Sequence, residues 1–147
     1  MSSDGQILLY RRAGGGLPKR DLQSFAYRLM DEVAGGRRFC CLLTDDKELL
    51  RLNLHFLQHD YPTDVLSFPA DDGQQMGEIA ISVERAREQA QQFGHDMQGE
   101  IKILMLHGVL HLLGMNHEKD RGRMARVEKQ WRKKLGLPAG LIERVRA

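Results

Sequence analysis

From Pro18 onward, apolar residues recur at helical spacing, at Leu22, Phe25, Ala26, Leu29 and Val33, and Gly35-Gly36 closes the segment in the manner of a helix C-terminus. RFCCLL, starting at Arg38, then reads as a buried strand. Asp45 with Glu48 three residues later forms a capping-box start for a helix running through Leu49, Leu52 and Phe56. Two prolines bracket the strand-like DVLSF within DYPTDVLSFP, which confines it to a brief or edge strand, and GEIAIS supplies another strand. Ser82 begins a polar helix, VERAREQAQQFG, stopped by Gly94. Glu100 is expected to begin an almost wholly apolar one, IKILMLHGVLHLL, ended by Gly114. A helix apolar all round must be buried, so this one is central. A last helix shows Met124, Val127, Trp131 and Leu135 on one face. Interleaved helices and strands predict an α/β (α+β) fold, a small mixed β-sheet packed against helices around that buried central helix.

Composition changes this picture little. The 147 residues, 41% hydrophobic and 29% charged, fit one domain spanning 1–147 with a core of its own. No apolar run is long enough to cross a bilayer, and MSSDGQILLYRR has its apolar residues ahead of its arginines, the wrong order for a signal peptide. A cytoplasmic location without membrane contact is the expectation. Cys40 and Cys41 are adjacent in a strand-like stretch, so their side chains point to opposite faces and read as reduced thiols. Charge is more informative, because the net +2 is unevenly spread: ten Lys or Arg stand against three Asp or Glu from Lys119 to Ala147. A basic tail of +7 therefore sits on a body of −5, and Arg121, Arg123, Arg126, Lys129, Arg132, Lys133 and Lys134 form a candidate strip for a polyanion such as RNA.

The chemistry concentrates in HGVLHLLGMNH, residues 107–117. Positions four apart in a helix lie about 40° apart on one face, so His107 and His111 can reach one point in space. Gly114 lets the chain turn and bring His117 back toward it. Three neutral imidazoles leave a fourth tetrahedral position to water, the pattern of a catalytic zinc. Three unpaired imidazoles in an apolar run would otherwise be costly to bury. The spacing also occurs in the zinc-protease signature H-E-x-x-H-x-x-G-x-x-H, but the glutamate that serves there as general base is Gly108 here. A metallopeptidase-like hydrolase is therefore the second choice.

HGVLHLLGMNH resembles the signature of the YbeY family, H-G-x-L-H-L-x-G-Y-D-H, and LNLHFLQHDYPTDVLSFP followed by GEIAIS resembles a second block of that family. The resemblance implies a metal-dependent, single-strand-specific endoribonuclease acting in ribosomal RNA maturation and ribosome quality control. It implies one zinc or similar divalent transition-metal ion held by His107, His111 and His117, and single-stranded or ribosomal RNA and ribosomal proteins as partners. Such a metal lowers the pKa of a bound water from near 16 toward about 7 and polarises a phosphodiester oxygen. Among the departures from the pattern, Leu57 stands where the family has an arginine after the aromatic residue of N-x-x-[YF]-R, Asn116 replaces an aspartate, and Glu78 replaces another. Glu78, Asp64 and Asn116 are the candidates for catalytic side chains, and Ser67 is expected to face the cleft. A third alternative follows from Leu57: a catalytically weakened, metal-stabilised protein that binds RNA or the ribosome.

Overall fold

The fold is seen in a computed structural model, which describes residues 7–57, 63–70, 74–116 and 120–138. Four strands, numbered along the chain as β1 (Leu8–Tyr10), β2 (Arg38–Thr44), β3 (Val65–Pro69) and β4 (Gln75–Ser82), form one sheet in the order β1-β2-β4-β3. The first three neighbours run parallel, and β3 lies antiparallel on the outer side of β4. Pro69 thus ends an edge strand, where its missing N–H interrupts no inner ladder. The strand β1 has no counterpart among the expected elements, since three residues are too few for alternation to register.

The helices are α1 (Lys19–Glu32), α2 (Asp46–Leu52), α3 (Val83–Phe93), α4 (Met97–Leu112) and α5 (Arg123–Lys134). Side-chain caps open three of them: Asp45 accepts from the Glu48 N–H at 2.9 Å, Ser82 from Arg85 at 3.2 Å and Asp96 from Gly99 at 2.7 Å. Asp96 corrects one expectation, for it starts α4 one turn ahead of Glu100. The helix expected to reach Phe56 also ends early. After Leu52 the chain widens into a single π-helical turn over Asn53–Leu57, a local distortion often found at functional sites. The capping box is half formed, because the Glu48 carboxylate turns to Arg51 Nε at 2.6 Å and Arg11 Nη1 at 3.2 Å.

Strand alternation divides the molecule into two faces. Phe39, Cys41 and Leu43 of β2, with Ile79 and Ile81 of β4, enter the main core, where they join α1, α4 and Met124 of α5. On the opposite face α2 places Leu49 and Leu52 over Leu42, Leu66 and Ala80. The buried helix α4 lies directly on β3 and β4, with eleven of its residues from Glu100 to Leu112 out of solvent. Burial pushes the Cys41 thiol up, so both it and the half-buried Cys40 are neutral thiols on opposite faces.

Candidate metal centre

One turn of α4 brings His107 and His111 together, their rings at 75° and their Nε2 atoms 3.1 Å apart. The other nitrogen of each ring decides what this approach means. His107 Nδ1 lies 2.6 Å from Oε2 of Glu128, and His111 Nδ1 lies 2.9 Å from the Met115 carbonyl. Neither a carboxylate nor a carbonyl can donate, so both Nδ1 atoms must be the protonated, donating ones. Both Nε2 atoms then present lone pairs to the same point. Two lone pairs at that distance repel unless a proton or a metal ion lies between them. Ligands at 2.0–2.1 Å from a tetrahedral ion are themselves about 3.3 Å apart, so the donor set fits a zinc-like ion with little movement. His117, the expected third ligand, lies outside the described residues, and no group of three ligating side chains stands among those described.

Gly108 sits between the two histidines for a packing reason. A Cβ there would meet Ile79 Cγ2 at 2.9 Å and Cδ1 at 3.0 Å, and Ile79 is 1% exposed in the core. The residue after the first ligand therefore faces the sheet, where a peptidase glutamate would have no room. Ser67 of β3 reaches the same turn and donates its hydroxyl to the Gly108 carbonyl at 3.2 Å, tying the edge strand to α4. Gly114 has φ +94°, the left-handed conformation that lets the chain double back toward Met115.

The remaining candidates are dispersed. Glu78, a candidate catalytic side chain, alternates with Ile79 and so emerges on the sheet face away from α4, beside Cys40 and Ala80. Asp64 is also elsewhere, at the opening of β3, where its carboxylate accepts from Gln89 Nε2 of α3 at 2.8 Å. Asn116 is exposed just past the turn at Gly114. Leu57 closes the π-helical turn, and its side chain lies outside the described residues. On α5, Arg123, Arg126, Lys129, Lys133 and Lys134 are exposed, as is Arg121 before it, while Arg132 is half-buried.

The profile of the family described as endoribonuclease YbeY matches residues 18–136. The chain is 57% identical to the endoribonuclease YbeY of Solibacter usitatus, over 99% of both chains. The chain belongs to the YbeY family. Its identity to the endoribonuclease YbeY of Koribacter versatilis is 41%, over 94% of this chain and 91% of the relative. A solution structure of a Thermotoga maritima protein shares the fold with a TM-score of 0.58 and 26% identity, covering 85% of this chain and 86% of that one.

Within this YbeY chain the residue that sequence reasoning missed is Glu128. It is fully buried on α5, an otherwise basic helix, and its carboxylate orients His107. A signal was present: Glu128 stands four residues after Met124 and three before Trp131, in register with the apolar stripe rather than with the exposed cations. The structure also pairs His95 Nε2 with Oε1 of the fully buried Glu100 at 2.6 Å, but at the opposite end of α4 from His107 and His111.

Proposed function

We propose that this protein is a metal-dependent endoribonuclease that cuts single-stranded RNA during ribosomal RNA maturation in the cytoplasm. The observation that carries the reading is the convergence of two imidazole lone pairs whose orientation Glu128 and the Met115 carbonyl set. His107 and His111, with His117 as third ligand, would hold one zinc ion or a neighbouring transition metal, since imidazole nitrogen favours these over magnesium. When bound, such an ion supplies a water of lowered pKa and polarises a phosphodiester oxygen. The chain's own part is to hold the rings by Nδ1, so that both Nε2 atoms face one point, and to bring RNA alongside. Leucine at 57 donates nothing to a phosphate, and the exposed cations of α5, the helix that carries Glu128, would instead hold the backbone. The attacking oxygen is a water or the RNA's own 2′-hydroxyl.

A second reading rests on Leu57: a metal-stabilised protein that binds RNA or a ribosomal protein without turnover. Metal-loaded protein assayed against single-stranded RNA, duplex RNA and casein, beside His111→Ala, separates these. Cleavage of single-stranded RNA that disappears in the variant is the expected result. Histidine-dependent casein cleavage would make it a peptidase, and no cleavage of any substrate would leave the binding protein.

A further inference from the structure

On the sheet face away from α4, the cover provided by α2 is incomplete. A cavity of about 330 Å³ opens there, lined by Leu9, Cys40, Leu42, Phe56, Phe68 and Glu78, with Arg11 at its edge. That volume lies at the lower end for small-ligand clefts. Leu9 and Phe56, 43% and 60% exposed, are two of the four large apolar side chains most open to solvent among the described residues, and both stand on this rim. Phe56 is presented by the π-helical turn and meets Phe68 edge to face at a centroid distance of 5.9 Å.

The polar groups sit at the ends. Sheet register places Leu9, Leu42 and Ala80 in one row, with Arg11 two residues beyond it and Glu78 two residues before it. Arg11 and Glu78 are thus about 13 Å apart along the strands and two strands apart across them, about 16 Å between backbones in all. Glu78 is exposed. Arg11, 59% exposed, and Arg51, 60% exposed, share the single buried carboxylate of Glu48, leaving one net positive charge at that end. Burial and the neighbouring Glu78 carboxylate push the Cys40 thiol up, so it forms a neutral wall.

We propose that this cavity holds one unstacked guanine of the RNA, its ring against Phe56, its Watson–Crick edge on Glu78 and its phosphate toward Arg11. A base is apolar on its faces and polar at its edge, which is the distribution the cavity offers. A carboxylate accepts two hydrogen bonds side by side, and guanine alone among the four bases donates two from adjacent N1–H and N2–H groups. The Glu78 and Arg11 side chains, reaching toward each other from backbones about 16 Å apart, would leave a gap on the order of a nucleoside monophosphate. A protein segment would match the apolar rim but would not call for a carboxylate at one end and a cation at the other. The inference rests on the ribonuclease reading and gives it a preferred base.

The test uses guanosine 5′-monophosphate and uridine 5′-monophosphate, which contain no internucleotide bond to cleave, titrated into the full chain and followed by amide resonances. The guanosine nucleotide is expected to shift Cys40, Leu42 and Ala80 and to bind about tenfold more tightly than the uridine nucleotide. Glu78→Gln should remove that preference, Phe56→Ala should weaken both nucleotides by about tenfold, and Arg11→Gln should weaken the nucleotide more than guanosine itself. Both Phe56 and Glu78 are exposed, so the variants should keep the wild-type amide spectrum outside the cavity. Equal affinity for the two nucleotides, shifts confined to α5, or a preference that survives Glu78→Gln overturns the base site. So does silence at these amides in protein that still cleaves single-stranded RNA through His111, an outcome that would assign the apolar rim to a protein partner. Failure of that cleavage, with the nucleotide preference present, instead counts against the nuclease reading alone.

Discussion

At the scale of single residues, two buried carboxylates do different work. Glu128 is fully buried against His107, so neutralising it leaves an imidazole whose Nδ1 proton has a weaker acceptor and whose ring is less firmly held. Partners of metal-ligating histidines typically change affinity by about 10–100-fold, and Glu128→Gln is expected to weaken zinc binding by that factor in competition with a chelator. Unchanged affinity would mean that Glu128 only fills the core. Glu48 acts on stability instead. Its hydrogen bond from Arg51, and then that from Arg11, hold its carboxyl below the ordinary value of 4.5. The depressed folded value means that its contribution is present above pH 4.5 and is lost as pH falls through the lower, folded value. Glu48→Gln should therefore lower the unfolding temperature at pH 7, with the gap to wild type closing in acid. A gap that stays constant on acidification would remove this role.

At the scale of elements, α4 was legible and its surroundings were less so. The i, i+4 histidines in an apolar run can be read from periodicity alone, and the structure brings their Nε2 atoms together. The start of the helix was misplaced because Met97, Gln98 and Gly99 carry no apolar stripe, while the cap that sets it is the single side chain of Asp96. Glu78 and Asp64 looked equivalent as carboxylates near the second family block. Strand parity sends the first to the far face, and Gln89 holds the second. Which face a strand residue takes depends on what covers each side, a tertiary fact. Gly108 combines both kinds of information, since alanine there would gain up to about 1 kcal/mol of helix propensity but would press on a β-branched side chain that has nowhere to move. Overpacking of this kind costs about 1–3 kcal/mol, so Gly108→Ala is expected to lower the unfolding temperature despite the propensity gain. An unchanged or higher temperature would show that Ile79 can yield.

At the scale of the whole molecule, the basic strip and the carboxylate that holds His107 are joined by one helix. Glu128 is the only acidic residue of α5, and it is the one turned inward, so the outward side of the helix carries positive charge and no negative charge. Met124 and Trp131 anchor the inner side, and Lys134 caps the Trp131 ring with its ammonium 4.9 Å from the centroid. Arg126, Lys129 and Lys133 follow spacings of three and four and so share one exposed strip. An RNA strand lying along this strip would pass the helix whose buried side holds His107, which ties phosphate binding to the reactive end of α4. Each single-strand phosphate neutralised contributes about −0.7 to the slope of log affinity against log salt. Changing Arg126, Lys129 and Lys133 together to Gln should therefore flatten that slope by about 2 and weaken binding at low salt. Zinc content should stay as in wild type, because all three side chains are exposed while His107 is buried. If the triple variant keeps both the affinity and the slope for single-stranded RNA, the strip is a solvated helix face and the strand takes another path to the histidines.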